Sequence, residues 1–148
     1  KLFHALKKAG IESYFFPETA IPGQRLYRAM TEAIYEYDRL LLICSQSSLM
    51  RSGVMFELEN VLQREANEGG AELLLPIALD DYLHREWTLN NPQLRVQLRS
   101  RVIGDFIGAG QDQALFDASF HRLLKALTSE ASAAQRPATG DAPQASRP

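Results

Sequence analysis

The sequence predicts an α/β domain, an open parallel sheet with helices on both faces. Two observations carry this. The runs RLLLICS (residues 39–45) and ELLLPIALD (residues 72–80) are almost continuously apolar, as strands buried on both faces are. Segments with apolar residues at helical spacing alternate with them. Strand and helix in alternation require crossover connections, and their fixed handedness puts helices on both sides of the sheet. A chain of 148 residues holds one such domain with a real core and is short for two.

Residues 2–9, LFHALKKA, put Leu2, Phe3 and Leu6 on one helical face, and Gly10 is a natural stop. ESYFF, residues 12–16, is short and aromatic and predicts a strand. PETAIPGQ, residues 17–24, is a loop by its prolines and glycine. Residues 25–37 carry Leu26, Met30, Ala33, Ile34 and Tyr37 at helical spacing. After the first apolar run, Ser45 to Ser52 form a serine-rich loop, with Ser52 as the expected cap of a helix over 53–67. Gly69-Gly70 end that helix. DYLHREWTLNNPQ is irregular, with Trp87 anchoring it to the core. QLRSRVIGDFI holds a weaker third strand near 101–106, and a last helix spans 112–128. From Ser129 to Pro148 no large apolar residue occurs, which predicts a disordered tail or linker. The domain is therefore expected over 1–128.

Apolar residues make up 45% and charged residues 23%, an ordinary globular balance, and the net charge is −2. That charge offers no general attraction to nucleic acid or an anionic membrane, so neither is expected as a partner. No apolar run reaches a membrane-spanning length. One cysteine, Cys44, excludes an internal disulfide and a multi-cysteine zinc site, and points to a reducing compartment. His4, His84 and His121 lack ligand spacing, so no metal is expected. No glycine-rich phosphate cradle of the dinucleotide-binding or P-loop kind is present.

In open parallel sheets, ligands bind beyond the carboxyl ends of the strands. That singles out residues 17–24, after SYFF, and residues 45–52, after LLLIC. In the helix that follows, Val54, Leu58, Val61 and Leu62 define the buried stripe and Glu57 falls at its edge. By pattern alone Glu57 is a boundary residue that gains about 0.3–1 kcal/mol from the helix dipole. Glu59 lies on the opposite flank.

The order of these pieces resembles a Toll/interleukin-1 receptor (TIR) domain of the bacterial type, over about residues 2–127. The matching residues are KKAGIESYFF, the turn Ile21-Pro22-Gly23, Asp38-Arg39-LLLICS, the helix start SGVMFELENVL with Ser52, Val54 and Glu57, and the stretches LLLPIALDDYLHREW and RSRVIGDF. The resemblance implies a flavodoxin-like sheet whose first, central strand precedes Lys1. It implies a cytoplasmic protein of defence or cell-death signalling that cleaves NAD+, the substrate and not a cofactor, with Glu57 as the catalytic residue. It further implies that Phe16, Ser45, Ser48, Arg51 and Phe56 line the substrate site, with serines toward ribose or phosphate and Arg51 toward the pyrophosphate. Gly53 departs from the tryptophan of many relatives, and Phe56 is then the aromatic wall. Ile21, Pro22 and Gly23 form the loop through which such domains assemble with one another. Two alternatives stay open: a non-catalytic TIR–TIR assembly module, and a nucleoside deoxyribosyltransferase-like domain, against which the Pro-Gly turn argues.

Overall fold

A computed structural model describes residues 1–19, 21–85, 87 and 92–134. Helix α1 (Leu2–Lys8) leads through α2 (Phe16–Thr19) to α3 (Leu26–Glu36) and strand β1 (Leu40–Cys44). Helices α4 (Gln46–Leu49) and α5 (Ser52–Asn67) carry the chain back to β2 (Leu74–Ala78). Helices α6 (Tyr82–Arg85) and α7 (Pro92–Arg99) precede β3 (Gly104–Asp105), and α8 (Gln113–Ala134) follows it. The strands form a parallel sheet in the order β1-β2-β3, with Leu40 paired to Leu74, Cys44 to Ala78, and Ala78 to Asp105.

The apolar runs become strands because both faces find cover. Along β1, Leu42 and Cys44 enter one core with Leu58, Val61, Leu83 and Leu98. Leu41 and Ile43, one residue out of phase, pack against a second core of Ile77, Phe106, Phe116 and Leu123. This alternation across the pleat places α5 on one side of the sheet and α8 on the other. The expected α/β architecture with helices on both faces is thus present.

Several local expectations fail for identifiable reasons. Residues 12–16 form no strand, and Phe16 opens α2 instead. β-Propensity needs a ladder partner to satisfy the backbone, and among the described residues β1 pairs only with β2. Phe15 donates its N–H to Thr19 Oγ1 at 3.2 Å, closing a helical turn. The serine loop after β1 contains α4, and Ser45 is its cap, not Ser52. Arg51 precedes α5 without a side-chain cap, and Ser52 is its first helical residue. The stretch expected to be irregular after β2 contains α6 and the start of α7, which runs on to Arg99. Helix α8 runs past the expected end at 128 to Ala134, and residues 135–148 lie outside the described ones. Trp87 is buried in the first core, 2% exposed, as its anchoring role requires.

Gly69 and Gly70 stop α5 with φ of 74° and 85°, values that glycine adopts without the Cβ penalty. The return to β2 is then fixed by one buried carboxylate. Glu65, 6% exposed, accepts the N–H groups of Leu73 and Leu74 at 2.8 and 2.9 Å. It also pairs with Arg101, just ahead of β3.

Candidate active site

Helix α5 leaves the carboxyl edge of β1 and returns to the amino edge of β2, where Glu65 caps the strand. Glu57 lies earlier on the same helix by roughly 12 Å at 1.5 Å per residue, and therefore toward the carboxyl edge. It is half-buried. Burial alone pushes its carboxyl above the ordinary glutamate value. Among the described residues no cation pairs with it and no donor hydrogen-bonds to it. An ionised carboxylate held this way is destabilised relative to water. Glu65 shows the contrast. Its burial would also raise the carboxyl, but the Arg101 hydrogen bond and the N–H groups of Leu74 and Leu73 bring it below the ordinary value. Glu59 is exposed.

The neighbours of Glu57 are local. Phe56 is half-buried, and its carbonyl accepts from Asn60 Nδ2 at 2.7 Å. A Cβ placed on Gly53 would meet nothing within 4 Å, so the position that would carry an aromatic wall borders open space. Arg51 and Met50 are exposed, Met50 at 71%.

Ser45 and Ser48 form a reciprocal capping box. Ser48 N–H donates to Ser45 Oγ at 3.1 Å and Ser45 N–H to Ser48 Oγ at 2.8 Å. Ser48 Oγ in turn donates to Ile43 O at 2.6 Å. Both hydroxyls thus serve the turn that launches α4. Sequence reasoning missed Asp80. Its Oδ2 accepts the Gln46 N–H at 3.0 Å and its Oδ1 the Tyr82 N–H at 3.1 Å. One carboxylate therefore ties the loop after β1 to the loop after β2. A carboxylate immediately after an apolar strand was the available signal, but the pairing is tertiary and sequence spacing does not reveal it.

The structure brings Ser45, Ser48, Arg51, Phe56 and Glu57 into one chain segment at the carboxyl end of β1. Phe16 and the 21–23 turn come from a separate segment. Residues 17–24 do not follow a strand end as expected, because SYFF is not a strand. Phe16 is half-buried in α2. Ile21 is 66% exposed. The turn is closed by Ile21 N–H to Gln24 Oε1 at 2.9 Å and Gln24 N–H to Ile21 O at 3.1 Å. Gly23 has φ +91° with open space around it. A cleft of about 360 Å³ lies between this turn and the start of α3, lined by Gly23, Gln24, Arg25, Arg28, Ala29 and Glu32.

Cys44 is fully buried, and burial pushes its thiol up to about 12, which makes it a core residue and no nucleophile. Among the described residues, no group of three or more His, Cys, Asp or Glu is arranged to hold a metal ion, and no helix is long and apolar enough to cross a membrane. A model of a protein family described as TIR domain matches residues 1–124. No curated protein matches the chain.

Proposed function

The chain belongs to the TIR domain family, and on that premise we propose that it hydrolyses NAD+, with Glu57 as the catalytic residue. The observation that supports this reading most is the state of Glu57: half-buried, without an ion pair or hydrogen bond among the described residues, at the carboxyl edge of an open parallel sheet. A carboxylate with no structural partner that is nonetheless kept from water fits a group reserved for a ligand. Cleavage of the nicotinamide–ribose bond leaves positive charge on the ribose ring. The C1′–N bond breaks and its electron pair stays with the nicotinamide nitrogen. Nicotinamide is cationic within NAD+, so it departs neutral and needs no acid. The Glu57 carboxylate stabilises the oxocarbenium-like centre, as its counterparts do in glycoside hydrolysis. A water oxygen bonds to C1′ and releases a proton, giving ADP-ribose; capture by a group of the same molecule gives a cyclic form.

Phe56 and Phe16 are the proposed aromatic contacts, Ser45 and Ser48 the ribose and phosphate contacts, and Arg51 the pyrophosphate contact. The exposed Ile21-Pro22-Gly23 turn is the proposed assembly surface toward other TIR domains, in a cytoplasmic signalling role. Its exposure also favours the second reading, a non-catalytic assembly module.

The test compares nicotinamide release by the full-length protein and its Glu57→Gln and Glu59→Gln variants. Glu57→Gln keeps size and packing and is expected to lose on the order of a hundredfold or more, whereas Glu59→Gln retains activity. Equal rates for folded wild type and Glu57→Gln would remove Glu57 from the mechanism. A folded, assembled, inactive wild type would leave the assembly module.

A further inference from the structure

Away from Glu57, a cleft of about 440 Å³ opens between α6, α7 and the chain run that carries β3. That size is within the range of small-molecule sites, roughly 300–1,000 Å³. Ala78, the last residue of β2, and Asp105, the last of β3, both border it, and it runs back past Ile103 to Arg101, ahead of β3. Ile103 and Asp105 share one face of the extended run, and Val102, one residue before Ile103, points away, 94% exposed.

The cleft carries little net charge, but its charges are separated and only partly used. Arg101 spends both terminal nitrogens on Glu65, so its charge is largely matched within that pair, although its buried Nε has no hydrogen-bond partner among the described residues. Arg99 donates one N–H to His84 O, and its other donors meet no acceptor among the described residues. The His84 imidazole is likewise without a hydrogen-bond partner there. Asp105 accepts the Ile107 N–H on Oδ1, and its Oδ2 receives none among the described residues. Ile103 and Ile107 supply the apolar lining.

A guanidinium presents a fork of donors that suits an oxyanion. A carboxylate repels a second oxyanion and accepts from hydroxyl groups. A ligand that satisfies both carries a phosphate at one end and hydroxyls at the other. We propose that this cleft binds a phosphorylated pentose, with the phosphate on Arg99 and His84 and the sugar hydroxyls on Asp105. A base, where the ligand carries one, packs along Ile103 and Ile107.

Titration calorimetry on the full-length protein tests this with adenosine monophosphate, ribose 5-phosphate and inorganic phosphate as probes. The two pentose phosphates are expected to bind in the sub-millimolar range. Arg99→Gln weakens both about tenfold or more, the loss expected for a charge-assisted hydrogen bond. Asp105→Asn weakens both while leaving inorganic phosphate as it was, and Val102→Thr changes nothing. Tighter binding of adenosine monophosphate than of ribose 5-phosphate assigns the site to nucleotides, and equal binding assigns it to sugar phosphates. Melting curves verify folding, and Asp105→Asn carries the test if Arg99→Gln unfolds. Absence of binding to folded wild type at millimolar probe, or wild-type binding by the folded variants, overturns the proposal. Neither result depends on whether Glu57 is catalytic.

Discussion

Glu57 and Glu65 share a helix, yet their carboxyls are driven in opposite directions. Glu65 titrates below the ordinary value because Arg101 and two backbone N–H groups overcome its burial. Its stabilising contribution is therefore complete above the unfolded glutamate value and is lost as pH falls through the folded one. Glu57 titrates above the ordinary value because burial meets no compensation. Its favourable contribution is complete below the unfolded value and lost as pH rises through the folded one. At neutral pH, Glu57→Gln is thus expected to melt at or slightly above wild type, the difference shrinking in acid, with a change within about 1 kcal/mol. Glu65→Ala is expected to cost on the order of 3 kcal/mol, since it strands Arg101 and two N–H groups; denaturant titration of both variants measures this. If the ionised Glu57 carboxylate works on the substrate, nicotinamide release must rise with pH through its folded value. The acid limb of kcat/KM is then expected above the ordinary glutamate value. An acid limb at or below that value would separate the rate from Glu57.

At the scale of elements, legibility followed the length and purity of the pattern. β1 and β2 were readable because their apolar runs are explained by cover on both faces. ESYFF had the residues of a strand but no ladder to join, and propensity without pairing does not make one. Helix α4 was hidden because Ser48 takes the reciprocal place usually filled by Glu or Gln in a capping box. Helix α7 was hidden by asparagine and proline, although Pro92 stands at its first position, where proline starts helices as readily as it breaks them. For the candidate site, the identity of Glu57 came from resemblance, while its burial and the Asp80 tie are tertiary facts with no local signal. The 21–23 turn was legible because Pro-Gly chemistry is local. Gly23 sits at φ +91° in open space, so a side chain there strains the backbone rather than clashing. Gly23→Arg is expected to distort the turn and place a charge on the proposed assembly surface, lowering self-association at least severalfold in sedimentation while the melting temperature moves little. Unchanged association by a folded Gly23→Arg would take this turn out of the assembly.

At the scale of the molecule, the reading of enzyme and the reading of assembly module converge on one measurement. The net charge is −2, so copies meet little long-range repulsion. Ile21 is 66% exposed on a turn held by its own hydrogen bonds, which makes it available to a neighbour without reorganisation. Among the described residues no strand pair joins the segment with Glu57 to the segment with Phe16 and the turn; the link is through α3, which follows the turn and whose Ile34 O accepts from Arg64 of α5 at 2.7 Å. Contact with a second copy is a way to fix the turn relative to α5 and so complete the site. Nicotinamide release per unit of full-length protein is accordingly expected to rise with protein concentration and to level off once association saturates. Initial rates over a wide concentration range, with sedimentation on the same samples, test this. A rate strictly proportional to concentration throughout would mean that each copy works alone, and the turn would then be irrelevant to catalysis. A rising specific rate that Gly23→Arg flattens and Glu57→Gln abolishes would tie the assembly turn and the carboxylate to one activity, since neither variant touches the other's segment.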